Sequence, residues 1–175
     1  MKHIIFTRFA VGVQRASFHE RRMAIMKASL LKSMLAQTGS NVHWLLVTDS
    51  RAPAASLKEL QGVCALRPNF HLRTFDPLIE HSVDGFRKSF VEEIVGEDET
   101  VILSRLDDDD ALHRDFSAIV TQFLEQRVAE GARLPIAATW QRGLDLHIAE
   151  DRGRVRDVPW ISPSIGVEVD RKSVV

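Results

Sequence analysis

Ser104-Arg105-Leu106-Asp107-Asp108-Asp109-Asp110-Ala111-Leu112 is the stretch on which the reading of this chain turns. It begins inside an apolar, β-branched run, Thr100 to Leu106, that has the composition of a buried strand. That strand runs straight into four consecutive carboxylates. Adjacent like charges repel, modestly in water and more strongly beside a sheet, and a divalent cation relieves the repulsion. Hard ions such as Mg²⁺ and Mn²⁺ take oxygen ligands, often only one or two carboxylates plus the phosphates of a substrate. In an extended segment alternate residues face the same way, so Asp107 and Asp109 project together and Asp108 points elsewhere. Asp110 lies close enough to orient a metal-bound water or an acceptor hydroxyl. Arg105, two residues before the run, suits either an aspartate partner or a diphosphate. A plainer role stays open beside these: negative charge also favours the N-terminus of the helix that follows, and charge runs commonly do no more than solvate a surface.

Working outward, strand and helix patterns alternate. His3 to Thr7 reads as a first strand and Val42 to Thr48 as a second, ending at Asp49-Ser50. Phe70 to Phe75 is a short third strand, Thr100 to Leu106 the fourth and Leu134 to Trp140 the fifth. Between them, Ser17 to Gln37 carries a helical stripe of Met23, Met26, Leu30 and Met34, broadened by Leu31 and Leu35. Ser17 and Glu20 form a capping-box pattern at its start, and Thr38-Gly39 marks its end. Pro53 opens a helix to about Leu60, Asp84 to Val95 is a third helix, and His113 to Glu130 a fourth. In that last helix Phe116, Ile119, Val120, Phe123 and Leu124 fall on one face. Leu144 to Ala149 and Val155 to Trp160 read as a β-hairpin turning at Arg152-Gly153. The alternation implies a mostly parallel α/β sheet with helices on both faces, whose ligand crevice lies beyond the carboxyl ends of the strands. Arg8, Asp49 and the aspartate run all sit at those ends.

Composition narrows the function classes. The chain has 175 residues, enough for one compact domain and short for two. Hydrophobic residues make up 45% and charged residues 27%, a globular profile rather than a disordered or low-complexity one. The formal net charge of −1 gives no support to nucleic acid as a partner. No apolar run approaches the ~18 residues of a transmembrane segment, and the N-terminus is too briefly apolar for a signal peptide. Cys64 is the single cysteine, which excludes an internal disulfide and points to a reducing, cytoplasmic setting. The seven histidines show no zinc-ligand spacing, and no Walker or G-x-G-x-x-G loop is present.

Arg105-Leu106-Asp107-x-Asp109-Asp110-Ala111-Leu112 resembles the D-x-D segment of GT-A-type glycosyltransferases, and more narrowly that of the putative rhamnosyltransferase family. The opening Ile4-Ile5-Phe6-Thr7-Arg8-Phe9, the strand Trp44 to Asp49 and the helix segment Leu30 to Gln37 are similar to the same family, so the resemblance spans about residues 3–120. It implies a Rossmann-like α/β/α sandwich and an enzyme that moves a sugar, rhamnose in the narrower reading, from a nucleotide-diphosphate donor to a glycan or lipid-linked acceptor. Carried over by position, Asp107 and Asp109 hold Mn²⁺ or Mg²⁺, Asp49 lies by the nucleoside, and Arg8 and Arg105 meet the base or diphosphate. Asp49 also reads as a turn residue before Ser50, and Arg8 as a member of a structural ion pair.

The family pattern continues further than this chain does after its fifth strand. The expectation is one nucleotide-sugar-binding domain over residues 1–175 that lacks part of the acceptor region and binds donor better than it transfers sugar. The catalytic base is unassigned. Asp110, His147 and Glu150 (or Asp151) are candidates, and Trp140 and Trp160 are candidates for an acceptor platform, with packing as their ordinary role. An unpaired sheet edge near residues 165–175 is expected to favour self-association. Two other classes stay open: a non-catalytic nucleotide-sugar-binding module, and an interaction protein whose aspartates bind Ca²⁺ or a basic partner.

Overall fold

The computed structural model describes residues 1–76, 83–96, 99–139, 143–149, 152–158 and 166–171. Its main sheet has six strands in the order β3-β2-β1-β4-β8-β5. These are β1 (Lys2–Phe9), β2 (Val42–Asp49), β3 (Phe70–Phe75), β4 (Thr100–Arg105), β5 (Ile136–Thr139) and β8 (Gly166–Arg171). β1 pairs in parallel with both β2 and β4, and β2 with β3. β8 runs antiparallel to both β4 and β5. β6 (Gly143–Ala149) and β7 (Arg152–Val158) form the separate two-stranded hairpin. The architecture is an α/β sheet whose β3, β2, β1 and β4 run parallel, as the alternating pattern implies.

Strand residues alternate between two cores, as a sheet covered on both faces requires. Ile5, Phe9, Trp44 and Leu46 face one way, against α1 (Ala16–Ala28), α2 (Leu30–Leu35) and α3 (Ala54–Cys64). Ile4, Phe6, Leu45, Val47 and Val101 face the other, against Phe90, Val91 and Val95 of α4 (Val83–Ile94) and its end. On the first face Ile102 meets Val120 and Leu124 of α5 (Phe116–Ala129). Cys64 packs in the first core, and burial pushes its thiol up to about 11.

Five readings of the sequence need correction. The stretch from Ser17 to Gln37 is two helices, because the backbone breaks at Ser29, whose hydroxyl bonds Ile25 O at 2.8 Å. Local hydroxyl-to-carbonyl bonds of this kind compete with the helix ladder. The capping box does not form: α1 starts at Ala16 after an extended Arg15, and no side chain caps it. In α5 the buried line is Ser117, Val120 and Leu124, leaving Ile119 and Phe123 exposed. Arg152 and Gly153 lie within β7, opposite Ala149 and Ile148, rather than in the hairpin turn. Finally, β8 is no free edge, since both of its sides are hydrogen-bonded, which removes the basis for self-association there.

A stitch between α2 and α5 places the aspartate loop. Gln37 Nε2 donates to His113 O at 2.9 Å, and the Ser117 N–H donates to Gln37 Oε1 at 3.1 Å. The Thr38 N–H donates to Arg114 O at 3.0 Å, and its hydroxyl to Asp115 Oδ1 at 2.8 Å. Gly39 is needed for this approach, because a Cβ there would stand 2.8 Å from Ser117 Cβ. The turn after β4 is thereby held against the first core.

Candidate functional site

The carboxyl ends of β1 and β4 frame a cavity of about 450 Å³ lined by Arg8, Val11, Arg22, Asp107, Asp108 and Asp109. Strand geometry explains the arginine at one wall. Phe6 of β1 pairs with Arg105 of β4, both in parity with the core against α4, and Arg8 follows two residues on. Arg8 is exposed, and its side chain makes no ion pair or hydrogen bond among the described residues.

The aspartate run divides much as alternation predicts. Asp108 is buried, whereas the side chains of Asp107 and Asp109 are 46% and 49% exposed. Asp107 has a distant neighbour in Arg105, with Nη2 to Oδ1 at 3.9 Å. Asp110 folds back on the same loop: its N–H donates to Asp107 O at 3.2 Å, and its Oδ2 accepts from the Asp107 N–H at 3.4 Å. Burial, followed by the charges of Asp109 and Asp107, pushes Asp110 above the ordinary carboxylate range, against the downward pull of the Asp107 N–H and Arg22. Asp110 thus closes the turn that presents Asp107 and Asp109.

Arg22, on α1, is the residue the sequence reading missed. Its Nε donates to Asp108 Oδ2 at 3.3 Å, its Nη2 to Asp108 Oδ1, and its Nη1 to Asp109 Oδ2 at 3.0 Å. The available signal was its place beside the buried His19, Met23 and Met26 line of α1, in the helix that follows the first strand.

Asp49 sits elsewhere. It is fully buried at the end of β2 and grips Arg51 through Nε at 3.0 Å, Nη2 at 2.9 Å and the backbone N–H at 2.9 Å. The backbone N–H of Gly12 also donates to it, and Gly12 has φ +81°, a conformation that glycine adopts freely. These hydrogen bonds, the Arg51 side chain first, hold Asp49 below the usual carboxylate range despite its burial. Its carboxylate is therefore occupied in fixing the loop after β1. The buried His19 fixes the same loop through Nε2 to Val13 O at 2.6 Å, and the Thr48 hydroxyl donates to Phe9 O at 3.0 Å. Arg105 lies beside Asp107, half-exposed, and is not among the residues that line the cavity. His147 lies in β6 opposite Arg154. Glu150, Asp151, Trp140 and Trp160 lie outside the described residues.

Residues 14–172 match the family described as putative rhamnosyl transferase. The chain belongs to that family. A comparison with curated proteins finds no match. Among solved structures, the chain is similar to residues 1–349 of TarS from S. aureus, at 14% identity and a TM-score of 0.50 over 73% of this chain and 33% of that one. The same TarS segment in complex with UDP gives a TM-score of 0.48 at 14% identity over the same shares. A bifunctional glycosyltransferase, WbbM, gives 0.38 at 11% identity over 69% of this chain and 20% of that one. The first of these likenesses shows the fold; the chain spans about a third of the TarS segment.

A divalent cation of the kind that GT-A-type glycosyltransferases typically use would find its donors here in Asp107 and Asp109. Asp107 and Asp109 offer hard oxygen donors at the rim of an open cavity, and Asp109 Oδ1 accepts no hydrogen bond among the described residues. No group of three or more His, Cys, Asp or Glu is arranged to hold a metal among the described residues. A cation bound here would complete its shell with water and substrate phosphate, as Mg²⁺ and Mn²⁺ commonly do.

Proposed function

We propose that this chain binds a nucleotide-diphosphate sugar, with rhamnose as the sugar, and transfers the sugar to a glycan or lipid-linked acceptor with the help of Mn²⁺ or Mg²⁺. The observation that carries the reading is the meeting of three aspartates and two arginines around one cavity at the carboxyl ends of β1 and β4. Family membership over residues 14–172 supports glycosyl transfer as the reaction class.

In this reading Asp107 and Asp109 hold the cation. Bound there, it supplies Lewis-acid neutralisation of the departing diphosphate. Arg8 presents a guanidinium to the cavity and forms no ion pair among the described residues, which suits bidentate contact with phosphate oxygens. Asp49 acts indirectly, by holding Arg51 and Gly12 and so shaping the loop after β1 on which the nucleoside would rest. Asp110 sets the turn rather than reaching the cavity. His147 stays a candidate base, and residues 1–175 are proposed as one nucleotide-sugar-binding domain. No helix among the described residues is long and apolar enough to cross a membrane, and a cytoplasmic site of action is part of the proposal.

Asp107→Asn tests this cleanly, because Asp107 has no strong partner to orphan. Thermal shift with Mn²⁺ and a panel of UDP, dTDP and GDP should show stabilisation of the wild type by at least one pair. The variant should keep its melting temperature and lose the metal-dependent part. Stabilisation by Ca²⁺ with no nucleotide effect would instead favour an interaction role for the aspartates.

A further inference from the structure

Arg22 divides one guanidinium between two carboxylates of unlike character. Two of its nitrogens grip Asp108, whose side chain is 6% exposed, and a third reaches Asp109, which is 49% exposed. The grip on Asp108 is a fork on a buried charge, which breaks only by leaving that charge uncompensated. The reach to Asp109 is a single contact at a wet rim, where ion pairs are weak and screened. Arg22 is thus anchored by Asp108 and free to release Asp109.

Asp109 is also a proposed cation ligand, so Arg22 and the cation claim the same carboxylate. A divalent ion on Asp109 beside an unmoved guanidinium sets two positive charges together in one cavity. A diphosphate in that cavity removes the conflict, since its oxygens accept from the released Nη1 and ligate the cation.

We propose that Arg22 is an exchangeable counter-ion. It neutralises Asp109 while the site is empty, yields it to the divalent cation when a nucleoside diphosphate enters, and turns its Nη1 to that diphosphate while Asp108 keeps its side chain anchored. This rests on the metal-dependent donor reading above and adds a coupling to it. Arg22 disfavours cation without diphosphate and favours the two together, and by linkage each ligand then tightens the other by the same factor.

The test measures binding alone, by calorimetry and by the free-Mn²⁺ paramagnetic resonance signal, with Mn²⁺, UDP and dTDP as probes. Arg22→Ala strands the buried Asp108, so the informative variant pairs Arg22→Gln with Asp108→Asn and keeps a neutral hydrogen-bonded couple in that place. Its fold is checked by circular dichroism, and Arg22→Lys, which keeps the charge without the fork, serves as the second variant. The double variant should bind Mn²⁺ alone more tightly, by about two- to fivefold, the factor to which a surface ion pair corresponds. It should bind the diphosphate in the presence of Mn²⁺ more weakly, by about tenfold or more. Arg22→Lys should leave the Mn²⁺-only affinity near wild type and lower the coupling. Gain in one affinity with loss in the other is not produced by a merely structural arginine.

A folded double variant with unchanged or weaker Mn²⁺-only binding overturns the proposal, as does unchanged diphosphate binding. A wild type that binds no diphosphate with Mn²⁺ overturns the underlying donor reading, and this inference with it. Wild-type coupling with no response to either substitution overturns the role of Arg22 alone.

Discussion

His3 stores a pH dependence that can be worked out in full. It lies on β1, completely buried, with Nε2 2.8 Å from Ser104 Oγ and no partner for Nδ1 among the described residues. Burial lowers its pKa from 6.5 to about 4. An unfolded chain takes up the proton near pH 6.5, while the folded chain resists until about pH 4. The contribution of His3 is therefore complete above about pH 6.5 and falls as the pH drops towards 4. Each pH unit in that window is worth about 1.4 kcal/mol, so about 2 kcal/mol is gone by pH 5 and about 3 by pH 4. Urea denaturation of wild type and His3→Gln, at pH 7.5 and pH 5, measures it. His43 and His71 are also lowered by their burial and push in the same direction, so the difference between the two proteins isolates His3. Wild type should lose about 2 kcal/mol more than the variant over that interval. Parallel losses in the two proteins would refute the reasoning.

Two further substitutions probe the scaffold under the site. Gly39→Ala forces a Cβ to 2.8 Å from Ser117 Cβ and 3.1 Å from Ala118 N, and should cost about 1–3 kcal/mol in denaturant titration. Gly62→Ala, in α3 with nothing within 4 Å, should be neutral or stabilising by up to about 1 kcal/mol. Asp49, held below its ordinary pKa, contributes stability that is present above the unfolded carboxylate value and lost as the pH falls through the folded one. Asp49→Asn should thus lower the melting temperature near neutrality and flatten the acid limb of the stability profile; an unchanged acid limb would contradict the assignment.

The four parallel strands were legible because burial on both faces leaves near-continuous apolar runs such as Trp44-Leu45-Leu46-Val47, bounded by polar turns. What escaped was whatever depends on contacts distant in sequence. The break at Ser29 is invisible to periodicity, because Met26, Leu30 and Met34 keep their spacing through it. The exposed Ile119 and Phe123 satisfy the same helical period as Val120 and Leu124, and only the packing on Ile102 selects the second pair. The insertion of β8 between β4 and β5 requires a pairing that local pattern does not encode. Around the cavity, the strand-end rule brings Arg8 and the aspartates together, and alternation separates the buried Asp108 from its neighbours. Arg22 was hidden because its partner Asp108 is 86 positions away, and an arginine beside an apolar stripe looks like any solvated helix residue. Asp49 reads from the sequence both as a nucleoside neighbour and as a turn residue before Ser50, and the short-range Arg51 fork that engages its carboxylate is the contact that local pattern does not reveal.

In the proposed function, Asp107 and Asp109 make this cavity a metal-dependent site for a nucleotide-diphosphate sugar. Release of nucleoside diphosphate from nucleoside diphosphate-rhamnose, followed with Mn²⁺ and with EDTA, tests it most directly, since donor cleavage by water needs no acceptor. The expected result is slow release that requires Mn²⁺ and disappears in Asp107→Asn. Release of equal rate in EDTA, or none from any such donor with Mn²⁺ present, would contradict it.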